Sequence, residues 1–300
     1  MSESNKRNFI VHGSILAIAG ILVRIIGMLY RIPVVNIIGS EGNGIYGAAF
    51  NIYNIMLVLS SYGLPMAVSK LVSARFTKKR YKSAAKVLRC SLMVAVCTGG
   101  IAALLVFFGA SFIENVIYGG GLPGLAIPLR ILAPTIFLVA ILGVIRGFFQ
   151  GQSTMIPTAV SQILEQIVNA IVSIAAGYGM MKAFASSPDV AAYGAAGSTL
   201  GTAMGALTAV LFMGLLYALY TQTFNRLKRK DRHTENQSTG QICKIIIYTM
   251  IPIILGQTFY QISALLDDVL FSNIMVVRGA SANITRDLGN FSSSYTLLIS

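Results

Sequence analysis

The chain has 300 residues, 55% of them hydrophobic and 11% charged, with a mean hydropathy of +0.72. That is more apolar surface than a soluble domain of this length can bury, which excludes a soluble globular fold and indicates a multi-pass membrane protein. A net charge of +13 raises nucleic acid as a partner, and the placement of the cations along the chain decides against it.

Apolar runs of about 20 residues, each long enough as a helix to cross a hydrocarbon core of roughly 30 Å, recur along the sequence. They cover 9–38, 45–71, 87–110, 127–148, 155–181, 193–220 and 242–270, and an eighth begins near 288. The first run passes through Arg24 and Arg31 with no small-residue cleavage site, so it is not a signal peptide. These two arginines, seven positions apart, return to nearly the same helical face, and Gly27 and Pro33 let that helix bend. A charge near the bilayer centre costs about 2.5–3.5 kcal/mol on insertion scales. Arg24 and Arg31 therefore either line a wet, anion-binding cavity or serve as structural glue, snorkelling outward or pairing with carboxylates. His12, near the start of the same run, reads as a histidine facing the bundle or as a proton relay.

The second run carries Asn51 and Asn54, three apart, with Tyr53 between them and Ser60 and Ser61 deeper. In the fifth, Gln162, Glu165, Gln166, Asn169 and Ser173 recur at spacings of three and four, a polar stripe that cannot face lipid. By depth Glu165 is the expected partner of Arg24, the two forming a gate. The sixth run repeats small residues at Gly197, Gly201 and Gly205, the GxxxG spacing of close helix packing. The seventh places Gln257 and Gln261 on the face of Asp268, and Tyr260 and Ser263 on the face of Asp267. This carboxylate pair either lies in water at the helix end or holds a cation or proton.

The basic residues alternate in side. Lys6 and Arg7, the cluster from Lys70 to Arg89, Arg146, the cluster from Arg226 to Arg232 and Lys244 fall at one set of helix ends. The opposite ends hold only Arg130, Lys182, Arg278 and Arg286. This asymmetry predicts a cytoplasmic amino terminus and explains the basic composition without nucleic acid. Cys90, Cys97 and Cys243 have no metal-ligand spacing and read as small buried hydrophobes. No HExxH, Walker loop or Ser/His/Asp arrangement is present, so a self-powered pump and an enzyme are disfavoured. No resident cofactor is expected, and any pumping would draw on a coupling ion, sodium or proton.

The polar stretch NRLKRKDRHTENQSTGQ at 225–241 separates six apolar runs from a pattern that restarts. The expected organisation is an all-α polytopic bundle: a six-helix transmembrane lobe over 1–222, a basic cytoplasmic linker over 223–241, and the start of a second lobe over 242–300. Since SSSYTLLIS ends the chain inside an apolar run, a fragment of a longer transporter is expected.

Five segments carry a family likeness: the RIxGxxxR motif of the first run, IGSEGNGIYG, YGLPMAVSKLVS, RGFFQGQSTMIPTAVSQILEQIVN and LLDDVLFSN. The sequence resembles the stage V sporulation protein B and polysaccharide-transport branch of the superfamily that holds multidrug and oligosaccharidyl-lipid exporters and the lipid II flippases. The resemblance implies about 14 helices in two lobes around a cavity that opens alternately to each side. It also implies that Arg24 and Arg31 engage the diphosphate of an undecaprenyl-linked sugar. Asn51, Asn54, Gln162, Glu165, Gln166 and Asn169, read from their spacing as facing one interior that is a wet cavity or a polar packing seam, are the other candidates for the substrate site. Asp267 or Asp268 would then take part in a cation site. A cation-coupled multidrug exporter and a non-transporting membrane scaffold are the alternatives.

Overall fold

The computed structural model describes residues 3–232, 237–278 and 284–290, with the side chains of 3–12, 260, 261, 263 and 264 set aside. His12, Tyr260, Gln261 and Ser263 thus lie outside the described side chains, as does most of the run beginning near 288. The helices are α1 (Glu3–Ser60), α2 (Leu64–Thr77), α3 (Tyr81–Phe112), α4 (Ala126–Gln150), α5 (Ile156–Ala183), α6 (Val190–Lys230) and α7 (Thr239–Val277). A π-helical turn, Ile113–Ile117, follows α3, and among the described residues there is no strand. Among the described residues, six helical stretches are long and apolar enough to cross a membrane, the first of them Gly13–Thr77.

Two backbone breaks divide that first stretch. At Gly39 the backbone leaves helical geometry with φ 70° and ψ −179°, a conformation that suits a residue with no Cβ. Tyr30 and Tyr46 flank this point and interact directly. On a straight helix their Cα atoms would be about 24 Å apart, so α1 folds back at Gly39 into two arms. The second break corrects the expected continuous run over 45–71. Ser61, Tyr62 and Gly63 form a turn, and α2 restarts at Leu64 with Pro65 in its first turn. At Gly63 an added Cβ would stand 2.9 Å from Met250 Cβ, so the chain bends where it touches α7.

Two apolar clusters stack along the bundle. One joins the Gly39 bend, the first half of α4, the start of α6 and the loop holding Tyr118, Leu122 and Leu125. The other joins α2, the first half of α3, the ends of α4 and α6, and Ile242, Ile246 and Met250 of α7. Phe76, Phe148, Phe224 and Tyr220 form its aromatic centre, with Phe76 and Phe224 stacked at 6.1 Å. Helix α5 contributes differently: its buried residues are Thr158, Ala159, Ser161, Asn169, Ser173 and Gly177, all small or polar.

This composition lets α6 approach α5 at backbone distance. An added Cβ at Gly197 would lie 2.4 Å from Ala176 O, at Gly201 2.0 Å from Ser173 Oγ, and at Gly205 2.6 Å from Glu165 O. The glycine spacing of α6 thus serves close packing in lipid, and it presses α5 from behind. Gly201→Val is accordingly expected to lower stability by about 1–3 kcal/mol through overpacking, read as a lower melting temperature in detergent. A melting temperature equal to the parent's would mean that the α5–α6 contact yields freely.

Both ends of the bundle are tied by polar groups. Glu114, in the π-helical turn, accepts hydrogen bonds from Gly124 N at 3.1 Å and Ala126 N at 2.7 Å, occupying amides at the start of α4 that have no helical partner. Ser272 Oγ and Asn273 Nδ2 of α7 donate to the carbonyls of Tyr118 and Ile117. Asn43 Nδ2 donates to Gly289 O at 3.0 Å, linking the Gly39 bend to the helical segment 284–290. At the other end the buried Asp231 accepts from Lys82 N at 2.8 Å, and Arg75 donates to Ser83 Oγ and Gln237 Oε1. Helix α6 continues through Lys230, so the first part of the expected linker 223–241 is helical. Its last turn carries Lys228, Arg229 and Lys230, where cations favour the helix dipole.

Candidate functional site: a polar seam between α1 and α5

The first arm of α1 packs against α5 through small and polar residues. A Cβ added at Gly27 would stand 3.1 Å from Gln166 Nε2, so this glycine admits the Gln166 amide close to the α1 backbone. One turn on, Asn169 Nδ2 donates to Tyr30 Oη at 3.3 Å. Ser173 Oγ lies 2.9 Å from Asn169 Oδ1 and 2.8 Å from Ser198 O, so α6 orients the asparagine through this hydroxyl. The polar stripe of α5 therefore faces α1 and the small-residue face of α6, and the Asn169 amide at its centre is satisfied rather than stranded in lipid.

Arg24 and Arg31 sit on the rim of this seam. At about 100° per residue they project within roughly 20° of each other, between the Gly27–Tyr30 side that meets α5 and the side bearing Ile21, Ile25 and Ile32. Those three isoleucines are exposed. Arg24 is exposed and Arg31 half-buried beside the buried Tyr46 phenol. Among the described residues neither arginine has an ion-pair partner.

The expected Arg24–Glu165 gate is not what the structure contains. Glu165 Oε2 accepts from Arg146 Nη2 at 2.7 Å, and Arg146 Nε donates to Ser161 Oγ at 2.9 Å. The side chains of this pair keep only 14% and 26% of their accessibility. The reason is local: Arg146 lies one turn before the end of α4, and the short connection to α5 brings it over the first turns of that helix. Its guanidinium is thus nearer to Glu165 than an arginine from α1 is. The sequence reading missed Arg146 as a site residue by assigning it only to topology; its place in RGFFQG, close before the α5 stripe, was the available signal. Tyr53 is buried within electrostatic reach of Glu165, which extends the network to the second arm of α1.

The remaining candidates divide. Gln162 and Asn54 are half-buried and make no side-chain hydrogen bond among the described residues. Asn51 Nδ2 donates to Asp268 Oδ2, so this asparagine joins α7 rather than the arginine rim. Asp267, the neighbour of Asp268, is exposed. Among the described residues no group of three His, Cys, Asp or Glu side chains gathers as metal ligands.

The sequence profile of the polysaccharide biosynthesis protein family matches residues 10–299. The chain belongs to this family. Among relatives in Bacillus subtilis (strain 168), it is 34% identical to the lipid II flippase MurJ over 176 residues, 57% of this chain and 32% of that protein. It is 30% identical to stage V sporulation protein B over 210 residues, 69% of this chain and 39% of the relative. It is 28% identical to the uncharacterized membrane protein YabM over 248 residues, 82% of this chain and 44% of the relative. The chain therefore spans less than half the length of the curated relatives it matches. An inward-facing multidrug resistance MATE family transporter of the MOP superfamily aligns with a TM-score of 0.59 over 88% of this chain and 57% of its own, at 14% identity. That likeness shows a shared helical fold and nothing beyond it.

Proposed function

We propose that the protein is a flippase for an undecaprenyl-diphosphate-linked saccharide, a precursor of peptidoglycan or another wall polymer, working by alternating access in the bacterial plasma membrane. The observation that carries this reading is the pair of guanidinium groups at one rim of the α1–α5 seam, without a carboxylate partner among the described residues. Guanidinium forks match phosphate oxygens bidentately and bind them more strongly away from bulk water. Arg24 and Arg31 would hold the diphosphate, and Gln162, Gln166 and Asn54 would offer amides to the sugar, with Asn169 bracing the seam beneath them through Tyr30 and Ser173. The isoprenoid tail would lie along the exposed isoleucines of α1. Rocking of this lobe against a second one would carry the headgroup across, with the amino terminus on the cytoplasmic side. Coupling to sodium or protons would act at Asp268 and its hydrogen-bonded Asn51, with Asp267 adjoining.

The Arg146–Glu165 pair favours this reading over export of cationic drugs. A drug cation needs an uncompensated carboxylate, and the one acid of the α5 stripe is already neutralised. The test is translocation by the purified full-length protein in liposomes, with a fluorescent undecaprenyl-diphosphate disaccharide and a lipophilic dye cation run in parallel. Movement of the first and not the second is expected; the reverse would overturn the assignment.

A further inference from the structure

We propose that Cys90 and Cys243 form a disulfide-forming thiol pair that a hydroperoxide closes, tying the first turns of α7 to α3. Cys90 is fully buried on α3, and its Sγ lies 3.8 Å from the carbonyl oxygen of Thr239, the first residue of α7. Cys243 stands four residues further along α7, one turn on the same face. The two thiols are close enough to interact electrostatically. Ile242 and Ile246 wedge this part of α7 into the apolar cluster that contains Val87, Cys90 and Val94, with Cys243 packed on its edge. The contact is thus held by its surroundings rather than by chance rotamers.

The environment suits the chemistry. Cys243 is half-exposed and open to a small oxidant, whereas Cys90 is enclosed and positioned to resolve the product. In the first step the Cys243 sulfur attacks the hydroperoxide; the O–O bond breaks, a sulfenic acid forms and an alcohol leaves, or water when the oxidant is hydrogen peroxide. In the second, the Cys90 thiol attacks the Cys243 sulfur, the S–S bond forms as the S–O bond breaks, and the departing hydroxide takes up the Cys90 proton as water. The two thiols lose two electrons to the peroxide, and a small dithiol reverses the change. Cys97 is exposed and two helical turns away on α3, about 10 Å along the axis, so it stands outside the pair and serves as an internal control.

The test uses the full-length protein in membrane vesicles treated with hydrogen peroxide, then denatured and reacted with a polymer-tagged maleimide. Labelling at Cys90 and Cys243 is expected to be lost while labelling at Cys97 is retained. Peptide mass analysis is expected to show Cys90 joined to Cys243, with full reversal by dithiothreitol. Cys90→Ser and Cys243→Ser are each expected to reduce the joined product at least tenfold. The inference is overturned if both thiols remain alkylated after peroxide, or if the only disulfide found joins two copies through Cys97. Because the readout is a peptide mass, the outcome is independent of whether the protein translocates lipid.

Discussion

Arg24→Ala is expected to reduce translocation of an undecaprenyl-diphosphate saccharide by about tenfold to a hundredfold while leaving the melting temperature unchanged. The magnitude follows from one charge-assisted contact to phosphate, worth about 1.5–3 kcal/mol. Unchanged stability follows from the position: Arg24 is exposed on α1 and has no hydrogen bond or ion pair among the described residues, so its removal leaves no buried partner unsatisfied. Arg24→Lys should recover part of the loss, because an ammonium keeps the charge and loses the fork. A drop in stability equal to the drop in transport would instead assign the arginine a structural role.

Arg146 and Glu165 should behave in the opposite way. Removing one member of a mostly enclosed ion pair leaves the other charge unpaired, at a cost of about 3 kcal/mol when burial is complete and less here, where both side chains keep some water contact. Glu165→Ala and Arg146→Ala are therefore each expected to destabilise the protein by about 1–3 kcal/mol, and the double substitution by clearly less than their sum. Thermal unfolding of the four proteins in detergent gives the coupling directly. Additive losses would show that the 2.7 Å contact contributes nothing to the folded state.

These two expectations mark where the sequence was informative. Membrane helices were legible because lipid forces long apolar runs, and the α5 stripe was legible because Gln166, Asn169 and Ser173 recur at the helical period. Tight α5–α6 packing was legible for the same reason, in the spacing of Gly197, Gly201 and Gly205. The partner of Glu165 was not. Depth along separate helices does not specify which guanidinium arrives first, and the α4–α5 connection, which a periodicity reading passes over, brings Arg146 there. Asn51 was also grouped by type with residues it does not touch, because the Gly39 fold-back carries the second arm of α1 towards α7 and Asp268. The turn at Ser61–Gly63 escaped notice since three residues are too few to interrupt the apolar stretches IMLVL and LPMAV on either side of it.

The central claim is that Arg24 and Arg31 together recognise a diphosphate at the membrane. Its most direct test is the binding of undecaprenyl diphosphate and of undecaprenol to the purified full-length protein and to its Arg24→Gln/Arg31→Gln variant. The account predicts that the parent prefers the diphosphate by at least about a hundredfold and that the variant loses most of that preference, as expected for two charged contacts. Equal preference in parent and variant, or none in the parent, would contradict it.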